Sequence, residues 1–221
     1  MLLRIPKHRL NLRLIVTLSI LLMGCSSAYY GTMEKLGYHK RDLMVSRVES
    51  ARDAQQEAKE EFKSALEKFS SVLQVDGGEL EEKYDQLKTA YDKSNERAET
   101  VRDRIEAVED VSEALFEEWQ SELDQYTSDS LRRSSARKLK QTRRQYTQLI
   151  GAMKRAEKKM GPVLLAFHDQ VLFLKHNLNA RAIASLQAEL VSVEAEVNAL
   201  IRDMEASIKE ADAFIGAMAK E

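Results

Sequence analysis

The chain has 221 residues, of which 32% are charged, and its 34 basic residues nearly balance its 36 acidic residues. It contains only two prolines and eight glycines, and it is rich in Ala, Glu, Lys, Leu and Arg, a usage typical of long helices and coiled coils. No stretch clearly alternates apolar and polar residues, so we predict no β-strand and an all-α fold. The single cysteine excludes an internal disulfide bond.

Residues 1–24 are organised as an export signal, with a basic segment followed by an apolar run. The run is about ten residues long, half of the roughly twenty that a membrane-spanning helix needs. It ends in Leu22-Met23-Gly24-Cys25, which resembles the lipobox of bacterial lipoproteins. The resemblance implies that the signal is cleaved between Gly24 and Cys25 and that Cys25 receives the lipid anchor. An uncleaved signal anchor with an idle cysteine is the alternative.

A serine follows the cysteine, where lipoproteins retained in the inner membrane carry an aspartate. Ser26 therefore favours an outer-membrane lipoprotein that faces the periplasm, a compartment in which we expect no nucleic-acid partner. We divide the chain into a signal peptide (1–24), a lipidated tether (25–32) and one helical domain (33–221).

Four segments of this domain repeat apolar residues at alternating steps of four and three residues. The seam positions of these heptads are Met44, Val48, Ala51, Gln55, Ala58, Phe62, Ala65, Phe69 and Val72; Leu80, Tyr84, Leu87, Tyr91, Ser94, Ala98, Val101, Ile105, Val108, Ser112, Leu115, Trp119, Glu122 and Tyr126; Leu139, Thr142, Tyr146, Leu149, Met153, Ala156, Met160, Val163 and Phe167; and Leu190, Val193, Val197, Leu200, Met204, Ser207, Ala211 and Phe214. A repeat of 3.5 residues sustained over this length predicts helices packed as left-handed coiled coils.

Turn and capping residues divide the heptads into four helices. Asp76-Gly77-Gly78 forms the first turn, Thr127 to Ser130 cap the third helix, and Asn177-Leu178-Asn179 separates the third from the fourth with Asn179 as N-cap. Gly161-Pro162 is a competing position for the last break, because proline costs a helix interior about 3 kcal/mol. The matched lengths favour Asn177. Four equal rods predict an elongated antiparallel bundle, roughly 65 Å long.

The second and third predicted helices carry opposite charge. From Glu79 to Asp124 sixteen residues are acidic and six basic, whereas from Leu131 to Met160 eleven are basic and one is acidic. Folding the chain at Ser128 sets these charges against each other. The predicted neighbours are Asp124 and Arg132, Glu118 and Lys138, Glu113 and Arg143, and Glu99 with Arg155 to Lys158. Because surface pairs are each worth about 1 kcal/mol or less, they would select the neighbouring helix more than stabilise it.

The same basic run supports a second interpretation, in which it binds an anionic surface. In a periplasm this surface would be lipid phosphates or another acidic polymer of the envelope. The candidate residues are Arg132, Arg133, Arg137, Lys138, Lys140, Arg143 and Arg144.

Residues 163–176 are more apolar than one helix face requires. The side chains that fall off the seam are Leu164, Leu165, Leu172 and Phe173. A helix that is apolar all round is buried on several sides, so we expect the fourth helix and the first hairpin to enclose this segment. The alternative is contact with a partner or a membrane.

His168 and His176 lie about 12 Å apart along a helix, too far to share one metal ion, so we predict no metal site.

Four segments carry a resemblance to a known family. They are Lys40–Val45 continuing into Val48–Gln55, Phe62–Glu67 with Gly77-Gly78 after it, Val108–Trp119, and Asp169–Ala180. They resemble a family of uncharacterised proteobacterial lipoproteins, domain of unknown function 2959. The resemblance covers essentially the whole mature chain, and the family has no established activity that it would imply for this protein.

Enzymatic function finds little support in the sequence. No glycine is followed by lysine, so the phosphate-binding loop of an ATPase is absent. A lipidated Cys25 is no nucleophile, and heptad helices lack the strand-end loops where catalytic groups usually lie. We therefore predict no catalytic residue and no cofactor.

The leading hypothesis is a lipid-anchored scaffold or adaptor that binds an unidentified envelope protein through helix–helix contacts. The alternative is a membrane-shaping module, a curved dimer whose basic face lies on anionic lipid. The sequence leaves open whether the protein forms a homo-oligomer.

Overall fold

The computed structural model describes residues 39–74, 80–177 and 180–219. Its elements are four long helices and a short 3-10 turn: α1 (Lys40–Gln74), α2 (Leu80–Glu122), the turn (Leu123–Gln125), α3 (Asp129–His176) and α4 (Ala180–Met218). These described ranges contain no strand, and the predicted all-α fold is confirmed.

Several sequence predictions fall outside the described residues. They are the signal peptide (1–24) with its cleavage site at Gly24 and Cys25, the tether (25–32), the turn at Asp76-Gly77-Gly78 and the N-cap at Asn179.

The heptad seam is the buried side of every helix. All predicted seam residues of α1 and α4 are buried, including the polar Gln55 and Ser207. Among the described seam positions of α2 and α3, four aromatic side chains are half-buried: Tyr84, Tyr91, Trp119 and Tyr146. The prediction is wrong at the end of α2, where Glu122 and Tyr126 are exposed. The α-helix ends at Glu122 and tightens into the 3-10 turn, which changes the phase of the repeat, so Leu123 is buried instead.

The four helices form an antiparallel bundle. Each helix packs against its neighbours in sequence, and α1 also packs against α4. Ion pairs at three interfaces run in opposite directions along the two helices: Lys40–Glu118 and Arg97–Glu57 between α1 and α2, Arg102–Glu157 and Lys154–Glu109 between α2 and α3, and Arg52–Asp212 and Lys59–Glu205 between α1 and α4. This is the up-down-up-down topology expected of matched helices joined by short connections.

The bundle has two different ends. The hairpin end comprises the start of α1, the α2–α3 turn at 123–128 and the end of α4, where the Arg41 guanidinium donates to the Met218 carbonyl. The far end comprises the end of α1, the start of α2, the end of α3 and the start of α4. There Phe167 stacks on Phe69 with ring centroids 4.5 Å apart and lies 6.4 Å from Phe62.

Helix α3 begins and ends where its capping residues predict. Ser128 is its N-cap, and the Ser128 hydroxyl accepts from the Leu131 amide at 3.5 Å. At the other end the Asn177 amide donates to the Leu174 carbonyl. The competing break is wrong, because α3 passes through Gly161 and Pro162. Both residues are exposed, so the carbonyl that loses its helical hydrogen bond at the proline can be hydrated.

One polar contact crosses the seam between α1 and α4. The Ser207 hydroxyl donates to Gln55 Oε1 at 2.7 Å, and both side chains are fully buried. A polar contact in an otherwise apolar seam forms in one register only, because any slip leaves the Ser207 hydroxyl and Gln55 Oε1 unpaired. The pair therefore fixes the axial alignment of α1 and α4. Gln55 Nε2 is buried without a partner.

Candidate interaction surfaces

The predicted basic run lies on the first four turns of α3, at the hairpin end. All seven of its residues are exposed: Arg132, Arg133, Arg137, Lys138, Lys140, Arg143 and Arg144. Arg132 pairs with Asp129 of its own helix at 2.7 Å. Among the described residues, no ion pair joins any of the seven to α2. The run is therefore a solvent-facing surface and not an internal one.

The predicted register of the α2–α3 hairpin is close to the observed one, but none of the four predicted ion pairs forms among the described residues. Trp119 Nε1 donates to Ser135 Oγ at 2.8 Å, as expected for a fold at Ser128. Glu118 is bound instead by Lys40 of α1 at 2.8 Å. Arg143 donates to the Phe116 carbonyl at 3.1 Å rather than pairing with Glu113.

The observed α2–α3 ion pairs lie nearer the middle of the bundle. Lys154 contacts Glu109 at 2.5 Å, and Arg102 contacts Glu157 at 3.5 Å. The hydrogen bond to Glu109 raises the pKa of Lys154. Each of these side chains is partly exposed, so each pair stabilises the bundle only weakly. The pairs contribute more to selecting which helices become neighbours.

A groove of about 690 Å³ runs along the outside of the α2–α3 hairpin. Its apolar lining comes from Leu123, Ala136 and Leu139, and its basic rim from Lys140, Arg143 and Arg144. The Arg143 guanidinium lies 5.4 Å from the centre of the Phe116 ring, and Tyr146 packs edge-on against the same ring. Burial raises the pKa of the Tyr146 phenol.

The apolar segment at the end of α3 is only partly enclosed. Leu164 is half-buried against the core, whereas Leu165, Leu172 and Phe173 are 65%, 44% and 40% exposed. The expectation that α4 and the first hairpin cover the whole segment is therefore wrong for these three residues. The reason is geometric, because α4 covers the seam side of α3 and leaves the opposite side to solvent.

A second groove, of about 500 Å³, lies between α3 and α4 at the far end. Its apolar residues are Ala166, Phe173, Leu186 and Val193, and its carboxylates are Asp169, Glu189 and Glu196. Gln170 also lines this groove, is only 4% exposed, and has no hydrogen-bond partner at Nε2 or Oε1. A buried amide left unpaired on both atoms is rare, because each unmet group costs about 1–3 kcal/mol.

Gln170 was missed by the sequence analysis although a signal for it exists. Continuing the alternation of steps from Phe167 by three residues leads to Gln170, a polar residue at a seam position. Of the two buried seam glutamines, Gln55 is paired through Oε1 with Ser207, whereas Gln170 has no partner on either amide atom.

The two histidines of α3 are both exposed. His168 packs against the Tyr91 ring with centroids 5.4 Å apart and lies 3.7 Å from the Asp169 carboxylate. Within residues 39–74, 80–177 and 180–219, no three His, Cys, Asp or Glu side chains converge on one point. None of the described helices is long and apolar enough to cross a bilayer.

The fold and these surfaces define a class: a long four-helix bundle with an exposed basic segment at one end and an acidic, partly apolar groove at the other. The family model for protein of unknown function DUF2959 matches residues 29–218, most of the chain, and the protein belongs to this family. No curated protein and no solved structure matches the chain.

Proposed function

We propose that the protein is a lipid-anchored scaffold or adaptor of the bacterial cell envelope, without catalytic activity. The lipobox-like Leu22-Met23-Gly24-Cys25 supports an anchor in the outer membrane, on its periplasmic side. The bundle is a rigid rod of about 70 Å, judged from the 48 residues of α3. Such a rod presents long helix faces to a protein partner while the acyl chains hold it at the membrane.

The observation that carries this proposal is the unpaired, buried amide of Gln170 in the α3–α4 groove. An apolar residue of similar size would satisfy the bundle at lower cost, so the amide favours a role outside the bundle. We infer that the groove receives one amphipathic helix of a partner protein. Its apolar side would pack on the exposed Phe173 ring. Because Nε2 and Oε1 of Gln170 are closed to solvent in the free bundle, the Gln170 side chain would turn outward to pair with the partner's polar atoms.

The charge of the groove specifies the partner helix further. Asp169, Glu189 and Glu196 supply carboxylates along the groove, and α3 places no basic residue among its lining residues. A helix with lysine or arginine beside its apolar stripe complements this rim, whereas an acidic helix is repelled. The partner is therefore a basic amphipathic helix.

In-cell photocrosslinking of the full-length lipoprotein tests the proposal. A photoreactive residue in place of Phe173 should give one defined adduct with another protein, and the same residue in place of Asp110 on α2 should give none. The double variant Glu189→Lys, Glu196→Lys should lose the adduct. The matched control Glu96→Lys, Asp103→Lys reverses two exposed charges of α2 and should keep it.

Two results would contradict the adaptor function. Equal labelling from Phe173 and Asp110 would mean that the groove has no specific occupant. An adduct with the mass of two copies of this chain would replace the heterologous partner by a homodimer.

A second candidate, the membrane-shaping module, is favoured by the exposure of the seven basic residues of α3. In this function the mature chain carrying Cys25→Ser, which lacks the acyl chains, should bind anionic vesicles and draw them into tubes. Vesicles that bind the protein and remain spherical under electron microscopy would contradict membrane shaping.

A further inference from the structure

The outer side of each helix can be read from its seam. In a heptad, the residue midway through each four-residue step of the seam points directly away from the core. For α3 this outer ridge consists of Arg137, Arg144, Gly151, Lys158, Leu165 and Leu172. All are exposed except the half-buried Gly151.

The outer ridge of α3 combines basic and apolar side chains and holds no carboxylate. Positions beside the ridge add Arg133, Lys140 and Arg155, which are exposed as well. Asp169 is the one acidic residue that flanks its apolar part. The ridge extends for about 50 Å along one uninterrupted helix, so its basic and apolar parts belong to the same side of the bundle.

The corresponding ridge of α2 has the opposite character. Its residues are Glu82, Thr89, Glu96, Asp103, Asp110 and Glu117, all of them exposed. Five of the six carry carboxylates. An anionic surface would therefore repel this side of the bundle and attract the side formed by α3.

We propose that the outer ridge of α3 is a lipid-contacting face along which the bundle lies on a membrane rich in anionic phospholipid. Arg137, Arg144 and Lys158 contact headgroup phosphates, and Leu165 and Leu172 enter the interfacial region. Exposed leucines at one end of a basic stripe are typical of surfaces that bind the bilayer interface.

This orientation rests on the proposed lipid anchor and adds to it. Fifteen residue steps separate Cys25 from Lys40, a reach of at most about 50 Å, so the anchored chain allows α3 to reach the same leaflet. One lipid signal and one basic surface together give firmer attachment than either alone. The orientation also keeps the α3–α4 groove close to the membrane, beside the ridge.

The test uses the lipidated protein reconstituted in vesicles, with an environment-sensitive fluorophore on Leu165→Cys or Leu172→Cys. In vesicles of phosphatidylglycerol and phosphatidylcholine both probes should shift to the blue and be quenched by lipids that carry a quencher on the acyl chain. A probe on Asp103→Cys or Asp110→Cys, at the same heptad position of α2, should show neither effect. Equal quenching of the α2 and α3 probes would overturn the proposal.

Charge variants show whether vesicle binding depends on the ridge or on basic residues anywhere on the bundle. Replacing Arg137, Arg144 and Lys158 by Gln should weaken binding of the unlipidated Cys25→Ser chain to phosphatidylglycerol vesicles on the order of a hundredfold. The control replaces Lys63, Lys68 and Lys93, three exposed lysines of α1 and α2, by Gln and should change binding much less. Similar losses from both triple variants would overturn the proposal.

The failure of this inference and that of the proposed function are distinguishable. Vesicle binding by the Cys25→Ser chain does not depend on lipidation, so it reports on the ridge alone. Radiolabelled palmitate incorporation at Cys25 and the crosslink from Phe173 report on the anchor and the adaptor role. If the chain is lipidated and gives the crosslink but the fluorophore on Leu165→Cys is not quenched, the ridge proposal is contradicted and the proposed function is not.

Discussion

Helices α2 and α3 have the same heptad pattern of seam residues and differ on the side that faces away from the core. Both turn their seam toward the core, and the seam of α2 also includes two buried serines and several half-buried aromatic side chains. Yet α2 carries fourteen acidic and six basic residues, whereas α3 carries twelve basic and three acidic. The contrast is sharpest on the outer ridges. The ridge of α2 carries five carboxylates, whereas the ridge of α3 carries three basic side chains and two leucines. The comparison teaches that the seam specifies the fold, whereas the outer ridges remain free to specify what the bundle binds.

The largest effect is expected from a change of the α3 seam. Phe167→Ala removes a ring that stacks on Phe69 at 4.5 Å, and it should lower the free energy of unfolding by about 3–5 kcal/mol. Leu165→Ala, two residues away on the ridge, should change it by no more than about 0.5 kcal/mol. Urea denaturation followed by circular dichroism measures both. Similar losses would contradict the division between seam and ridge.

The next largest effect is expected from the replacement of Pro162. Helix α2 contains no proline. Pro162 lies inside α3 and is exposed, so Pro162→Ala restores a helical hydrogen bond without disturbing the core. The free energy of unfolding should rise by up to about 3 kcal/mol. Gln148→Ala, at the equivalent heptad position two heptads earlier, should raise it by only a few tenths of a kcal/mol. A loss of stability in Pro162→Ala would mean that the helix needs a bend there.

The two buried glutamines should respond differently to the same replacement. Gln170→Leu removes an amide that has no partner on either atom and should stabilise the bundle by about 1–3 kcal/mol. Gln55→Leu instead removes the hydrogen bond with Ser207, and the gain should be absent or reversed. Thermal unfolding of the two variants side by side checks the difference. Equal gains would show that the two amides are in equivalent surroundings.

The smallest effect concerns the ion pairs between α2 and α3. Lys154→Ala should cost at most about 1 kcal/mol, because Lys154 and Glu109 are both more than a third exposed. The pKa of Lys154 is raised in the folded chain, first by its hydrogen bond to Glu109. Its contribution is therefore complete below the ordinary lysine pKa of about 10.4 and disappears as the pH rises through the folded value. Unfolding curves should show that Lys154→Ala is less stable than the parent chain at neutral pH and equally stable at strongly alkaline pH.

The sequence predicts the seam well because seam residues depend on one periodic rule. Met44 to Val72 and Leu190 to Phe214 are buried at every position that the alternation of steps indicates. The rule fails at Glu122 and Tyr126, where a 3-10 turn changes the number of residues per turn. Turn type is determined by local contacts that a repeat does not encode.

The surfaces are predicted less completely because their partners are chosen in three dimensions. The sequence places Glu118 opposite Lys138, but α1 also borders α2 and offers Lys40 at 2.8 Å. Likewise, the segment around Leu165 is apolar enough to be a core, yet none of the helices within 39–74, 80–177 and 180–219 covers its outer side. Whether an apolar residue is enclosed depends on how many neighbours the helix has, and a single helix pattern does not contain that number.

The most direct measurement is the crosslink yield from Phe173 in the Gln170→Leu background. The variant should unfold at a higher denaturant concentration than the parent chain while the adduct from Phe173 falls sharply, because the amide serves the partner and not the bundle. An adduct of unchanged yield from a stabilised Gln170→Leu protein would contradict it.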